Sequence, residues 1–222
     1  MTKILGIDES GRGPVCGPMM ICGYLIDEEK IGKLKEWGVK DSKLLTPAKR
    51  KEIFTKIKKI SDDYVLLKVS AKEIDRAVGE TNLNKLEIKK MQHIINLFDA
   101  DRVIIDSPEV NTKKFAEKVR AGIRNKKTEL VCENYADKKH LPVGAASIIA
   151  KVNRDMEIEK LHEKYGFFGS GYTSDERTVR FLKDWIKMNK ELPDFVRKSW
   201  MTIATLKEEK EQRQIMDFAK GE

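Results

Sequence analysis

The segment ILGIDESGRGPVCGPM sets two adjacent carboxylates, Asp8 and Glu9, at the end of an apolar run, and a glycine-flanked arginine, Gly11-Arg12-Gly13, follows at once. Successive side chains of a strand point to opposite faces, so one of two neighbouring acids tends to face the interior, where an unpaired carboxylate is costly. A bound cation relieves that cost. Glycines beside the acids let a large anionic backbone come close, and an arginine can hold its phosphates or sugars. The segment reads as metal chemistry on a phosphate polymer.

Further acids stand at comparable places. Asp106 ends the apolar run DRVIID, and Glu133 and Asp137 lie at and just beyond the end of TELVCE. Open α/β sheets gather reactive side chains at the edge where strands end. Hard cations such as Mg²⁺ and Mn²⁺ prefer carboxylate oxygens, and four carboxylates can hold two such ions about 4 Å apart for in-line displacement at phosphorus. Each acid also has a plainer reading. Asp106 before Ser107-Pro108 could cap a helix or form a turn, Asp137 could be a loop residue, and spacing alone does not choose between Glu133 and Asp137. His93, His140 and His162 are scattered, so a His/Cys zinc site is not expected.

The elements that must position these acids follow from periodicity. KILGIDES and PMMICGYLID read as strands joined by the GRGP turn, and EEKIGKLKEWG as a helix ending at Gly38. Thr46 caps a helix with Pro47 at its first position, PAKRKEIFTKIKKI, and DYVLLKVS is a third strand. SAKEIDRAV and NKLEIKKMQHIINLF have helical spacing, and DRVIIDSP, NTKKFAEKVRAGIR and TELVCEN read as strand, helix, strand. That alternation implies a parallel pair with a right-handed crossover. From about Leu141 no strand is expected, only the helices PVGAASIIAKVNRDMEIEKLHEKYG, SDERTVRFLKDWIKMNK and TIATLKEEKEQRQIMDFAK. A meander of three strands, a crossover pair and a helical final third make an α/β chain. A boundary is expected where Gly166, Gly169 and Gly171 cluster, giving a core of 1–165 and a helical region of 166–222.

At 222 residues the chain fits one ample domain, or a domain with an appendage. A net charge of +8 with 36% charged residues suits an acidic partner such as nucleic acid, or equally a soluble Lys/Glu-rich surface. Cys16, Cys22 and Cys132 have no metal-type spacing and suit a reduced, cytoplasmic chain. No apolar run reaches membrane length, and no signal peptide precedes the first strand. The charged run LKEEKEQRQ has the composition of a solvated helix and contains no clear motif for binding a replication clamp.

In order, IDESGRGPVCGPM, VKDSKLLT, NLNKLE, IIDSPEVN, AASIIAKVNRD, GSGYTSD and VRKSW resemble a type 2 ribonuclease H (ribonuclease HII), most like the archaeal form, over a stretch from Gly6 to about Trp200. The resemblance implies a ribonuclease-H-like mixed sheet of five strands flanked by helices, with the C-terminal helical region closing over substrate. It implies a monomeric endonuclease that uses two divalent ions, Mg²⁺ or Mn²⁺. Such an enzyme cuts the RNA strand of RNA–DNA hybrids and cuts duplex DNA on the 5′ side of single embedded ribonucleotides, leaving 5′-phosphate and 3′-hydroxyl ends. The family's four catalytic, metal-holding acids map onto Asp8, Glu9, Asp106 and Asp137, which favours Asp137 over Glu133. Gly11, Arg12 and Gly13 are similar to the family's probe for the ribonucleotide 2′-hydroxyl, the group that distinguishes RNA from DNA. Tyr172 corresponds to the tyrosine that packs on the following deoxyribose, and Lys43, Ser147 and Lys151 look like phosphate contacts.

Three positions depart from the family pattern. Ser10 replaces an alanine and could hydrogen-bond one of the acids, Tyr135 replaces a lysine before the fourth acid, and Thr173 replaces a proline that would stiffen the Tyr172 loop. A type 3 ribonuclease H is the competing enzyme reading, but that family carries an additional N-terminal domain, for which the strand beginning at Lys3 leaves no room. A hybrid-binding module without catalysis would tolerate loss of the acids, and all four positions remain acidic.

Overall fold

The computed structural model describes residues 2–39 and 45–220, with side chains through 212. Five strands form one sheet in the order β3-β2-β1-β4-β5. They are β1 (Lys3–Ser10), β2 (Met19–Asp27), β3 (Asp63–Val69), β4 (Arg102–Asp106) and β5 (Glu129–Glu133). The first three pair antiparallel, β1 pairs parallel with β4, and β4 parallel with β5. This is the meander-plus-crossover arrangement expected from the element order.

The helices are α1 (Ile31–Glu36), α2 (Pro47–Ile60), α3 (Ala71–Glu80), α4 (Leu83–Ile95), α5 (Thr112–Ala121), α6 (Ala136–Lys139), α7 (Leu141–Tyr165), α8 (Glu176–Met188) and α9 (Met201–Lys220). The Thr46 hydroxyl accepts the Lys49 N–H at the start of α2, as its capping role requires. The region expected as a helix over EEKIGKLKEWG divides into a 3-10 turn, Glu28–Lys30, and the short α1.

β2 is buried along its whole length because both sheet faces are covered. On one face Leu5, Ile7, Met19 and Ile21 pack with Ile88, Met91, Ile94 and Phe115 of α4 and α5. On the other, Met20, Cys22, Tyr24 and Ile26 pack with Ile53 and Ile57 of α2 and with Ala145, Ile148 and Ile149 of α7. The alternation that splits β1 between these faces also sends Asp8 toward α7 and Glu9 toward α4. Gly6 makes the α7 approach feasible, since a Cβ there would lie 2.3 Å from the Pro142 carbonyl carbon.

The residues after Tyr165 pack through a third cluster that unites Val15, Cys16 and Ile158 with Phe168, Leu182, Phe195, Val196 and Leu206. Beyond Leu141 no strand forms among the described residues, as expected, although Val196 makes an isolated antiparallel bridge with Cys16. Two hydrogen bonds flank the bridge, Gly17 N–H to the Phe195 carbonyl and Arg197 N–H to the Val15 carbonyl, both at 2.8 Å.

Candidate active site

β1 and β4 run parallel, so the acids at their C-terminal ends meet. Asp8 is 4% exposed, and its carboxyl accepts the Glu9 N–H at 2.7 Å and a hydrogen bond from Ser147 on α7. Asp106, at the end of β4, accepts the Ala136 N–H at 2.9 Å. This bond starts α6, whose buried Asp137 completes the acidic group. The helix that follows Asp106 in the chain is capped by Asn111 instead, and the Asp106 carboxyl reaches across to the start of α6, the helix that carries Asp137. α6 itself was expected as loop. It is entered through Tyr135 in the left-handed region, at φ 59°, which four residues of helical sequence cannot announce.

Burial, then the charges of Asp106 and Asp137, push the Asp8 carboxyl from 3.8 up to about 8 against the Ser147 and Glu9 hydrogen bonds. Glu9 is raised well above its ordinary value by burial, then by Asp8 and by Glu87 of α4. Glu133 differs: it pairs with Lys139 at 2.9 Å, and that bond lowers its pKa. Spacing left Glu133 and Asp137 as alternatives, and of the two it is Asp137 that electrostatically reaches Asp8.

A cleft of about 410 Å³ is lined by Asp8, Glu9, Asp106, Ser10, Gly11, Arg12, Gly13, Ser147, Lys151 and Tyr172, together with Arg50. Gly13 is beside Tyr172: a Cβ on Gly13 would have only the Tyr172 ring within 4 Å, at 3.9 Å. Gly11 is constrained in the opposite sense, with φ 86° and a hypothetical Cβ 2.6 Å from the Arg154 side chain. Arg12 is held by α4, with Nε 2.9 Å from Glu87 and Nη2 donating to Asn84 at 2.6 Å. Glu87 is fully buried, and its pKa rises to about 7 by burial, opposed by Arg12. Among the described residues no protein acceptor meets the N–H of Arg12 or Gly13.

The hydroxyl that bonds an acid belongs to Ser147, a residue expected as a phosphate contact, whereas the expectation for Ser10 finds no counterpart among the interactions that shift Asp8 or Glu9. Lys151 pairs with Asp155, which also lies 3.5 Å from Arg50. Lys43 lies outside the described residues. Tyr135 is exposed, with the Lys138 ammonium 5.4 Å from its ring centroid, so a cation stands close to the position that lacks the family's lysine. The Tyr172 loop is held without proline: Ser170 N–H donates to Asp175 at 2.8 Å, Gly171 N–H to Thr178 at 3.0 Å, and the Gly171 carbonyl accepts from Val15 and Cys16. Glu87, Arg154 and Arg197 lie within the NLNKLE, AASIIAKVNRD and VRKSW segments that carry the resemblance, yet no role for them, or for Arg50, follows from the sequence.

The donor set fits hard divalent cations. It is all carboxylate, the charges of neighbouring acids help raise the Asp8 and Glu9 carboxyls, and the buried Glu9 Oε2 has no hydrogen-bond partner among the described residues. Among those residues no trio of acidic, histidine or cysteine side chains is already drawn to one ligation point.

Comparison with known proteins agrees with this arrangement. The ribonuclease HII family profile matches residues 5–203. A ribonuclease HII from Methanothrix thermoacetophila is 45% identical over 208 residues, covering 93% of this chain and 98% of its own. The crystal structure of ribonuclease H2 from Pyrococcus horikoshii OT3 superposes with a TM-score of 0.88 at 44% identity, covering 94% of this chain and 98% of that one. The ribonuclease HII of Archaeoglobus fulgidus, solved in complex with PCNA, gives 0.84 at 38% identity, covering 91% and 96%. With the sheet order, the acidic group and these matches in agreement, the chain belongs to the ribonuclease HII family.

Proposed function

We propose that this chain hydrolyses the RNA strand of RNA–DNA hybrids and also cuts duplex DNA on the 5′ side of a single embedded ribonucleotide, leaving 5′-phosphate and 3′-hydroxyl ends. The observation that carries the reading is one cleft shared by three carboxylates, the Gly11–Gly13 turn and Tyr172. Asp8, Asp106 and Asp137 would hold one divalent cation, Mg²⁺ or Mn²⁺, and Asp8 with Glu9 a second. When bound, such ions supply a Lewis acid that acidifies the attacking water and neutralises charge on the leaving 3′ oxygen.

The chain's own residues do the positioning. Ser147 and the Glu9 N–H orient the Asp8 carboxylate, and Asp106 fixes the start of α6 and so the place of Asp137. Gly13 has no side chain although there is room for one, which favours a backbone surface kept open for a ribose. The N–H groups of the turn would meet the 2′-hydroxyl, and the Tyr172 ring would pack on the next deoxyribose. Lys151, at the cleft wall, and Lys43 would contact phosphates, and the region 166–222 would close over the duplex.

Cleavage of an end-labelled hybrid in Mg²⁺ and in Mn²⁺, by the parent chain and by Asp106→Asn, tests the reading. Cation-dependent 3′-hydroxyl products from the parent and almost none from the variant support it. Equal cutting by both, or 2′,3′-cyclic phosphate ends, would refute it. A sliding clamp, seen with the Archaeoglobus relative, is a candidate partner, and co-elution of clamp and chain on gel filtration checks it.

A further inference from the structure

The VRKSW segment has no role in the chemistry above, yet it reaches the turn that faces the ribose. Arg197 is fully buried, 0% exposed. Among the described residues its guanidinium donates only to backbone carbonyls: to Arg12 at 2.7 Å, to Gly17 at 3.1 Å from both Nε and Nη2, and to Gly11. Trp200 adds the third carbonyl of the turn, its indole N–H donating to Gly13 at 3.0 Å, and its ring lies 4.9 Å from the Arg197 guanidinium carbon. Every carbonyl from Gly11 to Gly13 is thus taken by a side chain more than 180 positions away in sequence.

The donor segment is itself anchored at both ends. Arg197 N–H donates to the Val15 carbonyl at 2.8 Å. Asp75 of α3 accepts the Lys198 and Ser199 N–H groups at 2.8 and 2.9 Å and the Ser199 hydroxyl at 2.6 Å.

A peptide unit whose carbonyl is fixed on one side presents its N–H on the other. We propose that Arg197 is a positioning residue for ribose selection: by clamping the Gly11 and Arg12 carbonyls it holds the Arg12 and Gly13 N–H groups of the same peptide units in the orientation that reads a 2′-hydroxyl, whereas the Gly13 carbonyl taken by Trp200 shares its peptide unit with Pro14, which has no N–H. This rests on the reading of that turn as the ribose sensor. A planar five-donor fork suits several carbonyls at once, which a lysine ammonium on a flexible stem does not. Burying a guanidinium with no carboxylate hydrogen-bonded to it among the described residues is costly, and the clamp is the gain that offsets it.

The test measures binding rather than turnover, in an Asp8→Asn background with Mg²⁺. Dissociation constants are compared for an all-DNA duplex and the same duplex with one ribonucleotide. Trp200→Phe keeps the ring over Arg197 and removes the indole N–H, Arg197→Lys keeps the charge and loses the fork, and Gly13→Ala alters the turn itself. One hydrogen bond's worth of orientation corresponds to about fivefold. Arg197→Lys should lower the preference for the ribonucleotide by about tenfold or more, and Trp200→Phe, which frees a carbonyl whose peptide unit carries no N–H, should leave it within about twofold, with all-DNA affinity within about twofold in both. Gly13→Ala should also lower the preference.

If Gly13→Ala lowers the preference and Arg197→Lys leaves it intact, or weakens both duplexes equally, or if Trp200→Phe lowers it as much as Arg197→Lys does, the clamp proposal is overturned while the sensor reading stands. If Gly13→Ala leaves the preference intact, the sensor reading falls and the clamp with it. Should Arg197→Lys fail to fold, Arg197→Gln is measured in its place, a preference lowered by about tenfold supporting the clamp and an unchanged one overturning it.

Discussion

Replacing Asp8 with Asn should stabilise the protein in the presence of a chelator while abolishing its activity. The Asp8 carboxyl is raised from 3.8 to about 8 by burial and by Asp106. A carboxyl whose pKa is raised by folding contributes fully below the unfolded value and loses that contribution as pH rises through the folded one. Each pH unit in the window from 3.8 to about 8 is worth about 1.4 kcal/mol. The ceiling by pH 8 is therefore about 5 kcal/mol, and sharing of a proton among Asp8, Asp106 and Asp137 lowers it to roughly 2–3 kcal/mol. Asparagine keeps an oxygen for the Glu9 N–H, so little else changes. At about 2–4 °C per kcal/mol for a chain of this size, Tm in EDTA at pH 8.5 should rise by roughly 5–10 °C over the parent, and the gap should narrow at pH 5. Adding Mg²⁺ or Mn²⁺ should raise the parent's Tm more at pH 8.5 than at pH 5 and should raise the variant's far less. Hybrid cleavage should fall by more than about a thousandfold, as loss of several kcal/mol of charge stabilisation requires. A variant less stable than the parent in EDTA at pH 8.5, or a gap independent of pH, would refute this electrostatic reasoning.

Gly11→Ala should lower stability by about 2–3 kcal/mol in urea melts, because its φ of 86° disfavours a side chain and Arg154 fills the space. Glu87→Gln leaves the Arg12 guanidinium without its buried counter-charge; it should cost about 1–3 kcal/mol of stability and raise KM for hybrid more than it lowers kcat. Tyr172→Ala should flatten the preference for cutting at an RNA–DNA junction over the interior of a hybrid, read from cut positions on a denaturing gel, with cleavage of long hybrids reduced by less than about tenfold.

The strand and helix order was legible because both sheet faces are covered, so apolar runs such as MMICGYLI and helical 3,4 spacing such as LEIKKMQHII carry strong signals. The acids were legible because strand ends coincide with the parallel edge that gathers them. α6 was not legible: four residues carry no period, and the helix depends on the Tyr135 backbone and on Asp106 across the sheet. Nor was the Ser147 contact, since it needs α7 seated against β1 at Gly6. Arg197 and Arg154 could not be told from surface arginines, because a carbonyl acceptor leaves no trace in residue identity. Val196 forms its bridge to Cys16 alone, too short a pairing to alternate.

The most direct test is to map the cut in a DNA duplex that contains one ribonucleotide, with Mg²⁺ and with Mn²⁺. If the Gly11–Gly13 turn and Tyr172, which share the cleft of the acids, act as the proposed ribose sensor and deoxyribose platform, the chain should give one nick, on the 5′ side of the ribonucleotide, leaving a 3′-hydroxyl and a 5′-phosphate. No incision of that duplex by a chain that cuts long hybrids, a nick on the 3′ side, or cutting without a divalent cation would contradict it.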